Sequence, residues 1–358
     1  MTPLMPRLPL ALALIVLGAS SGPCLRAREL LVDARGGAPY RTLAPAAQAA
    51  APGDTIVIAK GSGPYRETLC IRQSGTEGAP ITVEGNGETI TALAPLPFHR
   101  ENGVWVARLP LPFPCVITHD GTRMLQDPNA PADTFLGPLR LRADKRTVEL
   151  LPGSSPEGWE ASARDCPVRV YNASWQTFRD IVATGGTNDG FNLHGDGHGL
   201  LFENITGCNN LDEGFSSHDT ISCEIHGGEF LANDNGVSNG GAYTLRDVSI
   251  HDNIGWGLVL NGGTAHLTDV RVWGNAMAQI IFSSKSAGTC ENVLAWAPTW
   301  PTRPWRSYTE SSTSKAPALA FRFEDEVDPA RLQGMPQIAR TPAPSAPKAA
   351  DPALNPNL

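Results

Sequence analysis

From about Asn188 to Pro298, apolar residues return in short alternating runs with a period that drifts between 21 and 24 residues. Five runs open at an equivalent position: Gly190-Phe191-Asn192-Leu193, Gly214-Phe215-Ser216-Ser217, Gly236-Val237-Ser238-Asn239, Gly257-Leu258-Val259-Leu260 and Gln279-Ile280-Ile281-Phe282. A second run follows in each unit, at Leu201–Ile205, Ser222–Ile225, Leu245–Val248, Leu267–Val270 and Cys290–Val293. Polar turns at Asn209-Asn210, Asn233-Asp234-Asn235, Asp252-Asn253 and Gly274-Asn275 close the units. A period this short leaves no room for a helical crossover, so each unit is predicted to be one coil of short parallel strands stacked on the next. The spacing of a leucine-rich repeat is missing, and a propeller blade needs about 40 residues.

The predicted fold class is therefore all-β: a right-handed parallel β-helix, a single-stranded solenoid, with a small β-rich insertion. Earlier strands are read at Gly53–Ile58, Glu67–Ile71 and Ala79–Val83, and the Ala-rich stretch 42–51 as a helix over the end of the core. The coil rhythm fails between residues 96 and 165, where Gly103–Val106, Cys115–Ile117, Leu139–Leu141 and Thr147–Leu151 form the insertion. The chain then divides into a signal peptide (1–27), N-terminal cap and first coils (28–95), insertion (96–165), repeats (166–300), C-terminal cap region (301–339) and a disordered Pro/Ala-rich tail (340–358). The 36 Gly, 31 Pro and 18% charged residues suit turns and strands rather than helices.

Arg7, the apolar run Leu8–Leu17 and the small residues Gly18–Gly22 read as a bacterial-type signal peptide, which predicts a secreted or periplasmic protein. No later apolar run is long enough to span a bilayer, so no membrane-spanning segment is expected in the mature chain. The net charge of −8 grows more negative when Arg7 and Arg26 are removed, which argues against nucleic acid as a partner. Export would leave Cys70, Cys115, Cys166, Cys208, Cys223 and Cys290 where disulfide pairing is possible, and no CxxC spacing suggests zinc.

The segments Ala50–Ile58 and Ile81–Gly85, with Asn188-Asp189-Gly190-Phe191-Asn192-Leu193-His194 and Asp212-Glu213-Gly214-Phe215, resemble the pectin-lyase-like superfamily. The N-terminal coils are most similar to its chondroitinase-B and alginate-lyase branch. The resemblance spans roughly residues 30 to 300. It implies a polysaccharide partner along the solenoid flank, as substrate of a lyase or glycosidase or as ligand of a non-catalytic surface protein. The lyase branch pairs a Lys or Arg base with a carboxylate-held calcium, but Lys285 and Arg179 lie in no matching motif. Polygalacturonases carry a similar Asn-x-Asp-Gly followed by an acid pair, here Asn188-Asp189-Gly190 and Asp212-Glu213. Their Gly-His-Gly one coil later is replaced by Ser238-Asn239-Gly240-Gly241.

Register places Asp189 and Glu213 in equivalent slots of adjacent coils, with Asn188 and Asp212 one residue before them. Four residues beyond the anchoring glycines stand His194 and His218, predicted to share the outer face with Asn192 and Ser216. Asp189, Asp212, Glu213, His194 and His218 are thus the candidate catalytic set, and Asn192, Ser216 and Asn261 the candidate substrate contacts. The three acids are also candidate Ca²⁺ ligands, or an acid/base set for glycoside cleavage. Asn or Asp before Gly also serves tight turns without any catalytic role. Glu203, Glu224, Asp247, Asp269 and Asn292 are read as a turn-stabilising column. Trp256, Trp273, Trp296, Trp300 and Trp305 are read as sugar platforms or caps on the core.

Overall fold

Each repeat supplies one short strand and one long one, and the long strand is bent where the solenoid turns a corner. The short strands, among them Phe191–His194, Glu213–Ser217, Asn235–Asn239 and Trp256–Leu260, make an eight-stranded sheet. The long ones, such as Gln176–Thr184, Leu200–Cys208, Ser222–Leu231 and Ala242–His251, join a thirteen-stranded sheet that wraps two further faces. Pairing along both stacks is parallel and in register. The computed structural model describes residues 27–125, 138–283, 286–296, 319–323, 332–334 and 336–339. The protein is a right-handed parallel β-helix of about 11 turns.

The cylinder is filled by one apolar side chain beneath the next. Phe178 stacks on Phe202 at 5.1 Å, and Phe202 meets Phe191 and Phe215 edge-on at 5.9 and 5.0 Å. All four are fully buried. The helix at the N-terminal end is Leu43–Ala49, and it buries Leu43, Ala46 and Ala47 against the first coil.

Two corners of the coil carry two different polar devices. Where the long strand bends, Asp180, Asn204, Gly227, Asp247, Asp269 and Asn292 stack in left-handed backbone conformation, which Asn, Asp and Gly tolerate best. Glu203 and Glu224, assigned to this column from sequence, do not belong to it. Glu203 sits one residue earlier and pairs with Arg179, while Glu224 lies in register with Leu201 and Thr244.

At the other corner Asn210, Asn233, Asn253 and Asn275 form a buried ladder. Each side-chain amide donates to the next, at 2.9, 3.2 and 2.7 Å. This ladder explains the glycines that open the short strands. A Cβ on Gly190, Gly214, Gly236 or Gly257 would come within 2.7, 2.7, 3.0 or 2.5 Å of the Nδ2 of Asn210, Asn233, Asn253 or Asn275. In the fifth unit Gln279 replaces Gly and ends the ladder, accepting from Asn275 Nδ2 at 3.0 Å and donating to Asn275 O at 2.8 Å.

Between Leu93 and Ser162 the strands turn antiparallel. One four-stranded sheet holds Leu93–Pro95, Trp159–Ser162, Ile117–His119 and Thr122–Arg123, and a second holds Leu139–Leu141, Thr147–Leu150, Val104–Arg108 and His99–Glu101. They share a core around Leu109, Ile117, Val148 and Trp159. Past residue 300, Leu319–Phe323, Leu332–Gln333 and Gln337–Ala339 continue the parallel stacks. The expected signal peptide, apart from Ala27, the tail 340–358, Lys285, Trp300 and Trp305 lie outside the described residues. Cys70, Cys115, Cys166, Cys223 and Cys290 form no disulfide, and burial pushes the Cys115 and Cys223 thiols up to about 12. No helix among the described residues is long and apolar enough to cross a membrane.

Candidate active site

The asparagine corner leads directly into the short strands, so the residues after it enter the outer face of the eight-stranded sheet. The slot before each anchoring position reads Asp189, Glu213, Asn235 and Trp256 in successive coils, and the slot before that reads Asn188, Asp212 and Asp234. Stacking brings Asp189, Asp212 and Glu213 together, with one carboxylate oxygen from each lying within 4.8 Å of the others. They line a cleft of about 420 Å³ with Asn188, His194, His218, Trp256 and Asn261.

The three acids are not equivalent. Asp189 is only 1% exposed. One of its oxygens accepts from Asn192 Nδ2 at 2.5 Å and from Ser216 Oγ, and the other from the backbone N–H of Glu213 at 3.2 Å. It is fully engaged and held against the strand. Asp212 and Glu213 are half-buried at the cleft. Burial, then the charge of Asp189, pushes the Asp212 carboxyl up to about 6, against a partial offset from hydrogen bonds with Glu213 and Asn235. Glu213 is held well above the usual carboxylate range, first by burial and then by the charges of Asp189 and Asp212. Like charges this close cannot all be ionised, and Glu213 is the group that keeps a proton.

His194 and His218 stack face to face, with ring centroids 4.3 Å apart and planes 6° apart. Burial, then the neighbouring His194, lowers the pKa of His218. His218 Nε2 lies 3.1 Å from Ser216 Oγ. The Ser216 proton is directed at Asp189, so Oγ must accept from Nε2–H, which leaves Nδ1 of His218 as the free acceptor. His194 Nδ1 lies 3.5 Å from Asp219, whose carboxylate also accepts from Gly195 N at 2.8 Å.

The structure corrects one expectation: Ser216 does not offer itself to a substrate, because it is fully covered and spent on Asp189, whereas Asn192, 3% exposed and also bound to Asp189, lines the cavity that adjoins the cleft. Strand alternation gave their direction correctly but could not show that neighbouring coils cover them. Asn261, by contrast, is exposed in the cleft, in register two coils beyond His218. Trp256 occupies the slot of Asp189 and Glu213 further along the stack, a placement that the repeat register already contained. Arg72, Arg169 and Tyr171, absent from the sequence-derived set, line an adjoining cavity of about 490 Å³ that shares Asn188 and His194 with the cleft.

The antiparallel insertion braces this corner. Leu211, one residue before Asp212, packs on Leu93 and Val116. Arg123, itself 5% exposed, donates to the carbonyls of Asn210 at 3.0 Å and Ala232 at 2.6 Å.

No protein-family model matches the chain, and no curated protein matches it by sequence. Solved structures with a similar chain path include a glycoside hydrolase, at 10% identity and TM-score 0.48, over 87% of this chain and 95% of that one. Pectate lyase Pel9A is similar over 89% of this chain and 82% of its own, at 13% identity and TM-score 0.43. An alginate lyase from Paenibacillus sp. strain FPU-7 is similar over 86% and 99%, at 10% identity and TM-score 0.38.

Proposed function

We propose that the protein is an exported enzyme that cleaves a polysaccharide lying along the outer face of the eight-stranded sheet, with Glu213 as proton donor and Asp212 as nucleophile. The observation that carries this reading is the packing of three carboxyl groups within 4.8 Å in an open cleft with no Lys or Arg among its described lining residues. Such a cluster must take up either a proton or a cation.

The proton reading fits the hydrogen bonds better. Glu213 stays neutral and can protonate the glycosidic oxygen as the C–O bond breaks, while Asp212, ionised above about pH 6 and too near Glu213 for a water to sit between them, attacks the anomeric carbon; water then cleaves the glycosyl–Asp212 ester with Glu213 taking its proton. Asp189 holds Ser216 and Asn192 and so fixes the floor of the site. His194, His218 and Asn261 supply polar contacts for sugar hydroxyls, and Trp256, with the Arg322 guanidinium over its ring at 5.8 Å, walls the cleft further along the stack.

The donor set also suits a calcium ion chemically, since Asp189, Asp212 and Glu213 offer hard oxygens. That ion would neutralise a uronate carboxylate and favour abstraction of its α-proton, with His218 Nδ1 as acceptor. Both oxygens of Asp189 are already engaged, however, which leaves fewer of the six to eight ligands that calcium takes.

The deciding experiment incubates the mature protein with alginate, pectate, chondroitin and neutral glycans, with calcium or a chelator, and follows new reducing ends and unsaturated-product absorbance separately. Reducing ends without absorbance, unaffected by chelation and lost in Glu213→Gln, are expected. Calcium-dependent absorbance would replace the hydrolase by a lyase. Silence across the panel would leave a non-catalytic glycan-binding protein.

A further inference from the structure

On the side of the first coils, the acid cleft opens into the cavity of about 490 Å³ that shares Asn188 and His194 with it. The outward column that carries His218 and His194 continues there. His194 pairs in register with Tyr171, and Arg72 stands two residues past Cys70, whose partner Arg169 stands two residues before Tyr171. Coils lie about 4.8 Å apart, so Tyr171 is roughly 10 Å along the stack from His218. A glycan running along the solenoid axis through the cleft therefore crosses this cavity.

The fold leaves several polar groups here unused. The Arg72 guanidinium is exposed and has no ion-pair or hydrogen-bond partner among the described residues. Tyr171 is 51% exposed, with its hydroxyl equally unbonded among them. An exposed arginine alone selects nothing, but Asn192 adds a second kind of observation. It lines this cavity and not the cleft, its Nδ2 is spent on Asp189, and its Oδ1 accepts from no described residue. A nearly covered amide oxygen left free at a cavity wall calls for a donor from an occupant, and a sugar hydroxyl supplies one.

Charge divides the two halves of the groove. The cleft holds Asp189, Asp212 and Glu213 with no cation among its described lining residues, whereas the cavity sets Arg72 and Arg169 against one acid, Asp165. Arg169 already takes Asp165, so Arg72 is the cation in excess. An anionic group on a sugar inside the cleft would face like charges. The same group on the next unit would meet a guanidinium, whose planar fork matches carboxylate or sulfate oxygens. Tyr171 beside it offers a ring face to that sugar.

We infer that this cavity is a specificity subsite for an anionic sugar unit, a uronate or a sulfated hexose, adjoining a neutral unit held at the acid cluster. Arg72 reads the charge and Asn192 Oδ1 a hydroxyl. The substrate class is then a heteropolysaccharide in which acidic and neutral sugars alternate or adjoin. Placing the neutral unit rests on the cleft being the site of cleavage; the anion subsite itself does not.

Saturation-transfer NMR on the full mature chain at low ionic strength tests the subsite. The anionic probes are methyl glucuronide, methyl galacturonide and a sulfated methyl glucoside, and the neutral counterparts methyl glucoside and methyl galactoside. At least one anionic probe is expected to bind about fivefold or more tightly than its counterpart, and the uronate and sulfate arms tell which anion is read. The preference should vanish in Arg72→Gln, persist in Glu213→Gln and weaken as salt is added. Arg72 is exposed and unpaired, so Arg72→Gln should melt with the wild type. The subsite is refuted if no anionic probe outbinds its counterpart at up to about 50 mM, or if the preference survives Arg72→Gln unchanged. An Arg72-dependent preference in a protein that cleaves no glycan would keep the subsite and remove the enzyme. Glu213-dependent cleavage without that preference would keep the enzyme and remove the subsite.

Discussion

Two polar stacks leave the same corner of this solenoid and meet opposite fates. Asn210, Asn233, Asn253 and Asn275 are buried and neutral, and each amide both donates and accepts, so repeating one residue type coil after coil satisfies every member. Two and three residues further on, Asp212 and Glu213, with Asp189 in the slot of Glu213 one coil earlier, cluster as groups that, when ionised, only accept. The ladder stabilises because its members complement one another. The acid cluster holds an unresolved competition for protons, which is what general acid–base chemistry needs.

Four measurements sharpen this contrast. The largest effect is expected from Glu213→Gln, which removes the transferable proton but keeps the shape: turnover should fall about a thousandfold, read as reducing ends released, while the folded state persists. Asn233→Ala should do the reverse. It strips acceptors from Asn210 N–H and Nδ2 and a donor from Asn253 Oδ1, all buried, and should lower unfolding free energy by about 3 kcal/mol in urea titration. If Asn233→Ala proves neutral, the ladder is decoration.

The third is a pH dependence. Asp212 binds its proton more tightly in the folded chain than in the unfolded one, so the stability it contributes is fully present below the ordinary carboxylate pKa and is lost as pH rises through about 6. Asp212→Asn should therefore match the wild type in stability near pH 4 and exceed it by about 1–2 kcal/mol at pH 7, after allowing for screening. Unfolding curves at several pH values check this, and a constant difference would refute the raised carboxyl. The smallest effect is expected from Arg123→Leu. Loosening the brace on Asn210 should lower kcat about fivefold with little change in KM and move the acid limb of the pH–rate profile downward, as the corner hydrates.

Much of this was legible before any coordinates. Register alone put Asp189 beside Glu213 and His194 beside His218, and both neighbourhoods exist. The misassigned column shows where counting fails. Glu203 and Glu224 were grouped with Asp247, Asp269 and Asn292 by residue type, but the period drifts, and the true column passes through Asn204 and Gly227. Only the left-handed backbone at the bend identifies its members, and residue type predicts that conformation imperfectly.

The sequence by itself determined the solenoid, because a repeat of 21 to 24 residues with alternating apolar positions can bury its face only against another copy of itself. It determined which residues share a slot in successive coils, because parallel stacking preserves register. Tertiary structure decided what covers each slot. Asn192 and Ser216 point outward as alternation requires, yet they close over Asp189, because burial depends on the neighbouring coil's side chains. The docking of the insertion was decided there too. Val116 and Arg123 meet the solenoid at Leu211, Asn210 and Ala232, contacts between residues some 90 to 110 apart, a separation that no local pattern encodes.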